Sequence, residues 1–191
     1  MTSFKVVFDP RDTPGIVASK VWIREGSRSD PSTKKGIHQL LGSLLNRGCG
    51  PYNTKDIANL IEGCGAGLRC ETYEDGLLIS LKCIEEDHEK LLPLLGWMIN
   101  SPHLEKDQIQ LERELSIQLI TRHKESPFHL AFSNWRKLVY YNSPYAHDPL
   151  GKVDDIKSIT QGDLISLSHN ISRREKILVI SGAFSHAIKG T

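Results

Sequence analysis

Chemistry would be sought first in the run Gly36-Ile37-His38-Gln39-Leu40-Leu41-Gly42-Ser43-Leu44-Leu45-Asn46-Arg47-Gly48-Cys49. Its apolar positions Ile37, Leu40, Leu41, Leu44 and Leu45 recur with helical spacing, and Gly48 is placed to end the helix. A helix holds zinc when two donors stand at i and i+4 on one face. A carboxylate beside them can then activate a metal-bound water. The residue four places after His38 is Gly42, so His38 has no partner and is expected to be a surface or hydrogen-bonded histidine. Cys49, Cys64, Cys70 and Cys83 form no CxxC pair and no zinc-finger spacing, and are expected to be free thiols in a reducing compartment. His123 and His129 flank a helix break and can meet in space, whereas His88, His103, His147, His169 and His186 are scattered. No Ser/His/Asp or Cys/His arrangement carries a local signature. Gly63, Gly65 and Gly67 precede a strand rather than a helix, so they lack the context of a phosphate-binding loop and are expected to make a turn.

The elements that must position these residues follow from periodicity. Phe4 to Phe8 and Ile16 to Ile23 alternate, with Pro10 and Pro14-Gly15 between them, and read as an antiparallel strand pair. Asn53-Thr54 caps a second helix, KDIANLIEG. LRCETY and GLLISLKC read as a hairpin turning at Glu74-Asp75-Gly76. A helix through Leu91 to Met98 is broken by Pro102, and a long helix runs from about Glu105 to Lys124. Another helix starts at Ser126-Pro127 and passes through Phe128, Phe132, Trp135 and Leu138. Residues 141–152 form a loop, a short helix lies near Thr160 to Ser168, and the strand KILVISGAF closes the order. Grouped strands and helical blocks give an α+β fold, an antiparallel sheet with helices packed on one face. Trp22, Trp97 and Trp135 fall in apolar patterns and are expected in the core.

A length of 191 residues fits one domain able to bury a sizeable core. A net charge of +1 argues against a dedicated nucleic-acid binder, and Lys34-Lys35 and Arg173-Arg174 are expected on the solvated surface. No apolar run approaches the roughly 20 residues of a membrane span, and no basic-then-apolar signal pattern opens the chain. A soluble cytoplasmic or organellar compartment is therefore expected.

The segment from Gly36 to Cys49 resembles the signature of the insulinase, pitrilysin and mitochondrial processing peptidase family, G-x-x-H-x-x-E-H-x-x-x-[KR]-G-[TS]. Laying Gly36 and Arg47-Gly48 on that pattern puts Gln39 at the first histidine, Gly42 at the glutamate and Ser43 at the second histidine. His38 is one place early, turned about 100° around the helix. LERELSIQLITRHKESP resembles the helix bearing the third zinc ligand, a glutamate seven residues after another frequent glutamate. Glu112 matches the earlier one, Leu119 falls at the ligand position, and its neighbours Gln118 and Ile120 are no better donors. GCGAGLRCETYEDGLLISLKC resembles the family's G-G-x-x-N-A-x-T-x-x-D stretch through Gly65, Thr72 and Asp75, with Arg69 and Cys70 where Asn and Ala are usual. NSPYAHDPLGKVDDIKSITQGDL resembles a later family stretch through Pro144, Gly151, Ile156, Ile159, Thr160, Asp163 and Leu164. ILVISGAF resembles the closing strand, with Ala183 in place of an acidic or amide residue.

The resemblance implies one metallopeptidase-like domain over residues 1–191, as the N-terminal half of a two-domain chain, with no zinc and no other cofactor. It implies a non-catalytic homologue of a zinc metalloendopeptidase. Such a chain would act as a substrate-binding or regulatory subunit beside an active homologous subunit or second half-domain in peptide processing or degradation. Two alternatives stand beside it: a structural core subunit of a larger complex, like the core proteins of the respiratory bc1 complex, and an active zinc peptidase with an atypical site. Family substrates add as a strand to a sheet edge, which places Arg69, Cys70, Glu71 and Thr72 as the peptide-binding edge. The same strand could instead be a plain edge blunted by Arg69 and Glu71. Gly42 inside a helix should mark a close backbone contact, so that Gly42→Ala destabilises the fold.

Overall fold

A computed structural model describes residues 4–12 and 14–183. The strands are β1 (Phe4–Pro10), β2 (Ile16–Ile23), β3 (Gly48–Cys49), β4 (Tyr52–Asn53), β5 (Gly67–Thr72), β6 (Leu77–Ile84) and β7 (Lys176–Gly182). The helices are α1 (Ile37–Leu44), α2 (Thr54–Gly63), α3 (Glu85–Asn100), α4 (Lys106–Glu125), α5 (Pro127–Val139), α6 (Val153–Ser158) and α7 (Gln161–Ser172). Short 3-10 turns cover Ser27–Ser29 and Pro144–Ala146.

The five-stranded sheet runs β1-β7-β2-β6-β5, which corrects the expectation of a β1–β2 pair. β7 occupies the slot between them, antiparallel to β2 and parallel to β1. The sheet is therefore mixed rather than wholly antiparallel. Pro10 and Pro14-Gly15 do turn the chain, but past the neighbouring slot, which is left for a strand more than 150 residues later in the chain. The hairpin of β5 and β6 is as expected, pairing Thr72 with Leu77 and Gly67 with Lys82, and it leaves β5 as an edge strand.

Strand alternation decides which side of the sheet is covered. Val17, Ser19, Val21 and Ile23 of β2 and Leu77, Ile79, Leu81 and Cys83 of β6 are buried, while Lys20, Lys82 and Ile84 between them are exposed. Against that face pack Leu40, Leu41 and Leu44 of α1 and Leu91, Leu94, Leu95 and Met98 of α3, joined by Ile156, Ile159, Leu164 and Ile171 from the α6–α7 region. His88 of α3 is fully buried, with Nε2 2.7 Å from Ser19 Oγ, and burial pushes its pKa below the ordinary histidine value. α2 and α7 both begin with capping boxes, Asn53 with Asp56 and Thr160 with Asp163.

Two expectations about side chains are corrected. Trp97 and Trp135 are 42% and 49% exposed and Trp22 is only half-buried, so none is a core residue. α5 carries no buried residue at all, because its Phe128, Phe132, Trp135 and Leu138 stripe faces outward. The helix is tied down by polar contacts instead: Arg136 pairs with Glu74 in the β5–β6 turn, where Arg28 and Tyr145 both meet Asp75. Nor are Lys34 and Lys35 free surface charges. Lys34 pairs with Asp163 of the α7 capping box, and Lys35 Nζ donates to the Asp30 carbonyl at 2.8 Å. Arg173 and Arg174 are exposed as expected.

The candidate site on α1, α4 and the β5 edge

α1 begins at a glycine for a backbone reason. Gly36 has φ +93°, and a Cβ there would stand 2.4 Å from the Leu150 carbonyl oxygen. The first turn of α1 receives no cap from its own N-cap residue. Asp30, whose carboxylate is fully buried, does that work from the preceding loop. It accepts from Gly36 N–H at 2.6 Å and His38 N–H at 3.3 Å, and an acid at a helix N-terminus also suits the helix dipole.

The same carboxylate fixes the histidine. His38 Nδ1 lies 2.6 Å from Asp30 Oδ1, so Nδ1 carries the hydrogen and donates it. On the other side His38 Nε2 lies 3.8 Å from Glu25 Oε1, and Glu25 is itself held by Arg174 at 2.7 Å. His147 Nε2 stands 3.4 Å from the second Asp30 oxygen. Burial alone would raise the Asp30 pKa. The contact with His147 and the bonds from His38 and Gly36 outweigh it, and the carboxyl ends below its ordinary value. His38 is thus a hydrogen-bonded interior histidine, 1% exposed.

The four positions aligned with the family's zinc ligands and base lie on α1 and α4, which pack together. Gln39 and Ser43 are half-buried on α1, Gly42 is buried, and Leu119 is exposed on α4. Ser43 Oγ donates back to the Leu40 carbonyl at 2.9 Å. The space at Gly42 is filled from the sheet: Thr72 Oγ1 of β5 reaches across to the His38 carbonyl at 3.2 Å. A Cβ on Gly42 would lie 2.5 Å from that oxygen. The close contact expected at Gly42 is real, but a side chain makes it rather than backbone. An amide, a glycine, a self-bonded hydroxyl and a leucine offer zinc neither imidazole nor carboxylate, so these residues do not fit the ion. Among the described residues no group of three or more His, Cys, Asp or Glu side chains is arranged to hold a metal.

What the family pattern retains here is structural. Arg47, just beyond α1, is 2.6 Å from Glu112 of α4, whose carboxylate is nearly buried, and this pair clamps the two helices. Gly42 and Thr72 can be tested as a pair. In Gly42→Ala the helix gains up to about 1 kcal/mol of propensity but must displace the Thr72 hydroxyl and its bond. We expect Gly42→Ala to be destabilising by about 1 kcal/mol, and to become stabilising by a similar amount in a Thr72→Ala background. Urea titration of the four proteins reads this directly, and a Gly42→Ala gain with Thr72 present would contradict it.

On β5, Arg69 and Glu71 are exposed while Cys70 and Thr72 are half-buried. Arg69, Cys70, Glu71 and Thr72 therefore share one edge strand, and Thr72 hydrogen-bonds to α1. Burial pushes the Cys70 thiol up to about 12, and the Cys49 and Cys83 thiols up to about 11, the reverse of what a nucleophile needs. Spacing could not have revealed Asp30, Glu25 or His147, since the loop residues that lock His38 carry no periodic signal. His123 and His129, which sequence allowed to meet, do stack, with ring centroids 3.8 Å apart.

The chain belongs to the insulinase family, peptidase family M16, whose family model matches residues 5–148. Its relatives include the mitochondrial-processing peptidase subunit beta of Neurospora crassa, 23% identical over 167 residues, or 87% of this chain and 35% of the relative. They also include the non-peptidase homolog YmxG of Helicobacter pylori, 25% identical over 158 residues, covering 82% of this chain and 36% of that protein. In fold the chain is similar to the peptidase M16 inactive domain from Pseudomonas fluorescens, with a TM-score of 0.88 and 22% identity over 98% of this chain and 46% of that one. The chain spans about a third of the length of these curated relatives and under half of the solved structure. Among the described residues, no helix is long and apolar enough to cross a membrane.

Proposed function

We propose that the chain is a non-catalytic member of the insulinase family that binds peptide along the β5 edge, beside an active homologous subunit or a second half-domain. The observation that carries this reading is the chemistry at Gln39, Gly42, Ser43 and Leu119: no ligand and no base, with the Thr72 hydroxyl packed against the glycine. Zinc would not be bound, and peptide hydrolysis would be supplied by the partner. Arg69, Cys70, Glu71 and Thr72 would receive an extended peptide by adding it to the sheet edge, with Arg69 and Glu71 outermost. A relative named as a non-peptidase homolog supports the reading, and the relatives named as subunits support a paired arrangement.

The test is zinc content by elemental mass spectrometry, on tag-free protein purified without added metal and then exposed to stoichiometric zinc. The expected value is near zero ions per chain. A value near one, lost in His38→Ala, would overturn the reading and call for a peptidase assay. A peptide carrying a photoreactive group should crosslink to residues 69–72, and adducts confined to other elements would remove the edge from the proposal.

A second reading, a structural core subunit of a larger complex, is favoured by one feature. The exposed stripe of Phe128, Phe132, Trp135 and Leu138 on α5 is the kind of contiguous apolar surface that marks an interaction face. Stable co-purification with non-peptidase subunits would favour it over a peptide-binding role.

A further inference from the structure

α4, α5 and the segment leading into α6 border a half-open cavity of about 240 Å³. Four lysines are among its lining residues: Lys35 before α1, Lys124 at the end of α4, Lys137 on α5 and Lys152 before α6. His123, His129 and His147 line it too, and Asp148 is the single carboxylate. The whole chain carries a net charge of only +1, so this is local concentration rather than a basic protein seen at one spot.

The cations are not neutralised from within. Among the described residues no carboxylate pairs with Lys124, Lys137 or Lys152. Lys35 Nζ is held on the Asp30 main-chain oxygen, which fixes its position without cancelling its charge. Asp148 Oδ1 is already engaged by Leu150 N–H at 2.9 Å within its own turn. The stacked rings of His123 and His129 are anchored by Ser126 Oγ, 3.0 Å from His129 Nδ1. Ile120, Leu130 and Leu150 supply apolar wall. A concave site with one sign of charge and low-dielectric walls concentrates its field on an opposite charge. Ammonium groups on flexible stems act as point charges suited to oxyanions, and they exclude a metal cation. The volume lies below the roughly 300–1,000 Å³ of pockets for drug-sized ligands, so the occupant is small.

We propose that this cavity is a binding site for a small, multiply charged oxyanion, a group of phosphates or carboxylates, held by Lys35, Lys124, Lys137 and Lys152 with His123 and His129. The site is separate from the β5 edge and stands or falls independently of the peptide-binding reading. Pyrophosphate and citrate distinguish the two sources of the same chemistry.

Isothermal titration of the folded chain with each probe should show saturable binding near one site per chain for at least one of them. The Lys124→Glu/Lys137→Glu double variant, altered at two exposed side chains, should weaken it by about tenfold or more, while Lys20→Glu/Lys55→Glu, of equal charge change elsewhere, should leave it within about twofold. Asp148→Asn keeps the turn acceptor, removes the one carboxylate among the lining residues, and should tighten binding. Absence of saturable binding for both probes overturns the proposal, as does equal weakening by the two double variants, which would mean attraction to overall charge only.

Discussion

Asp30→Ala is expected to lower folding stability by about 3–5 kcal/mol, the cost of removing one partner from a buried, hydrogen-bonded charge. Three donors lose their acceptor at once: Gly36 N–H, His38 N–H and His38 Nδ1–H. The first two are orphan groups of the α1 N-terminus, so the helix that carries Gln39, Gly42 and Ser43 would fray from its start. Domains of this size are stable by only about 5–15 kcal/mol, which makes the loss a large part of the whole. Urea unfolding reads it as a lower midpoint at unchanged slope.

The pH dependence has a fixed sign. The folded pKa of Asp30 lies below its ordinary value, so its contribution is present in full above the unfolded value of about 3.9 and is lost as pH falls through the lower folded value. The stability gap between wild type and Asp30→Ala should therefore be constant near neutrality and close on acidification below about pH 4. A gap under about 1 kcal/mol at pH 7, or one that widens toward acid, would remove Asp30 from its place as the anchor of α1.

The second large effect is a gain. Gln39 and Ser43 stand at i and i+4 on α1, and α4 packs beside them. Gln39→His, Ser43→His and Leu119→Glu together are expected to take the chain from no zinc to about one tightly held ion. Gly42 is left alone in this variant because a larger side chain there would meet Thr72. Elemental analysis after dialysis gives the stoichiometry, and cobalt substitution reports the coordination number by its visible spectrum. A folded triple variant that holds no metal would mean that the two helices do not present these positions to one point. The alignment of Gln39, Ser43 and Leu119 with ligand positions would then be wrong.

Much of the fold was legible because its signals are local. α1 and α4 show apolar positions at helical spacing, α2 and α7 start at residues able to cap, and the β5–β6 hairpin turns on Glu74-Asp75-Gly76. The β1–β2 pairing was misread because Pro14-Gly15 signals a turn but cannot say which slot the chain enters afterwards. The partner of β1 comes from residues 176–182, and no local pattern records that. Trp97 and Trp135 were misplaced for a different reason. Helical spacing of apolar residues marks a shared face, and on α5 that face looks outward. In the candidate site, the residue types at Gln39, Gly42, Ser43 and Leu119 could be read from the chain alone. Neither Asp30 beneath the helix nor Thr72 over Gly42 could be, because each contact crosses from one element to another.

The parallel pairing of β1 with β7 bears on how the chain acquires its shape. During synthesis β1 emerges first, yet the strand that must lie against it is completed only with Gly182. β2 and β6 can pair much earlier, with β5 following as a hairpin, so a three-stranded sheet covered by α1 and α3 can precede the rest. Until β7 inserts, β2 presents an open edge and β1 has no sheet to join, which is the state in which a chain is most exposed to joining strands of another copy. Shortening the chain by deleting β7 should accordingly yield aggregation rather than a smaller stable protein, whereas removing β1 should leave the four remaining strands paired.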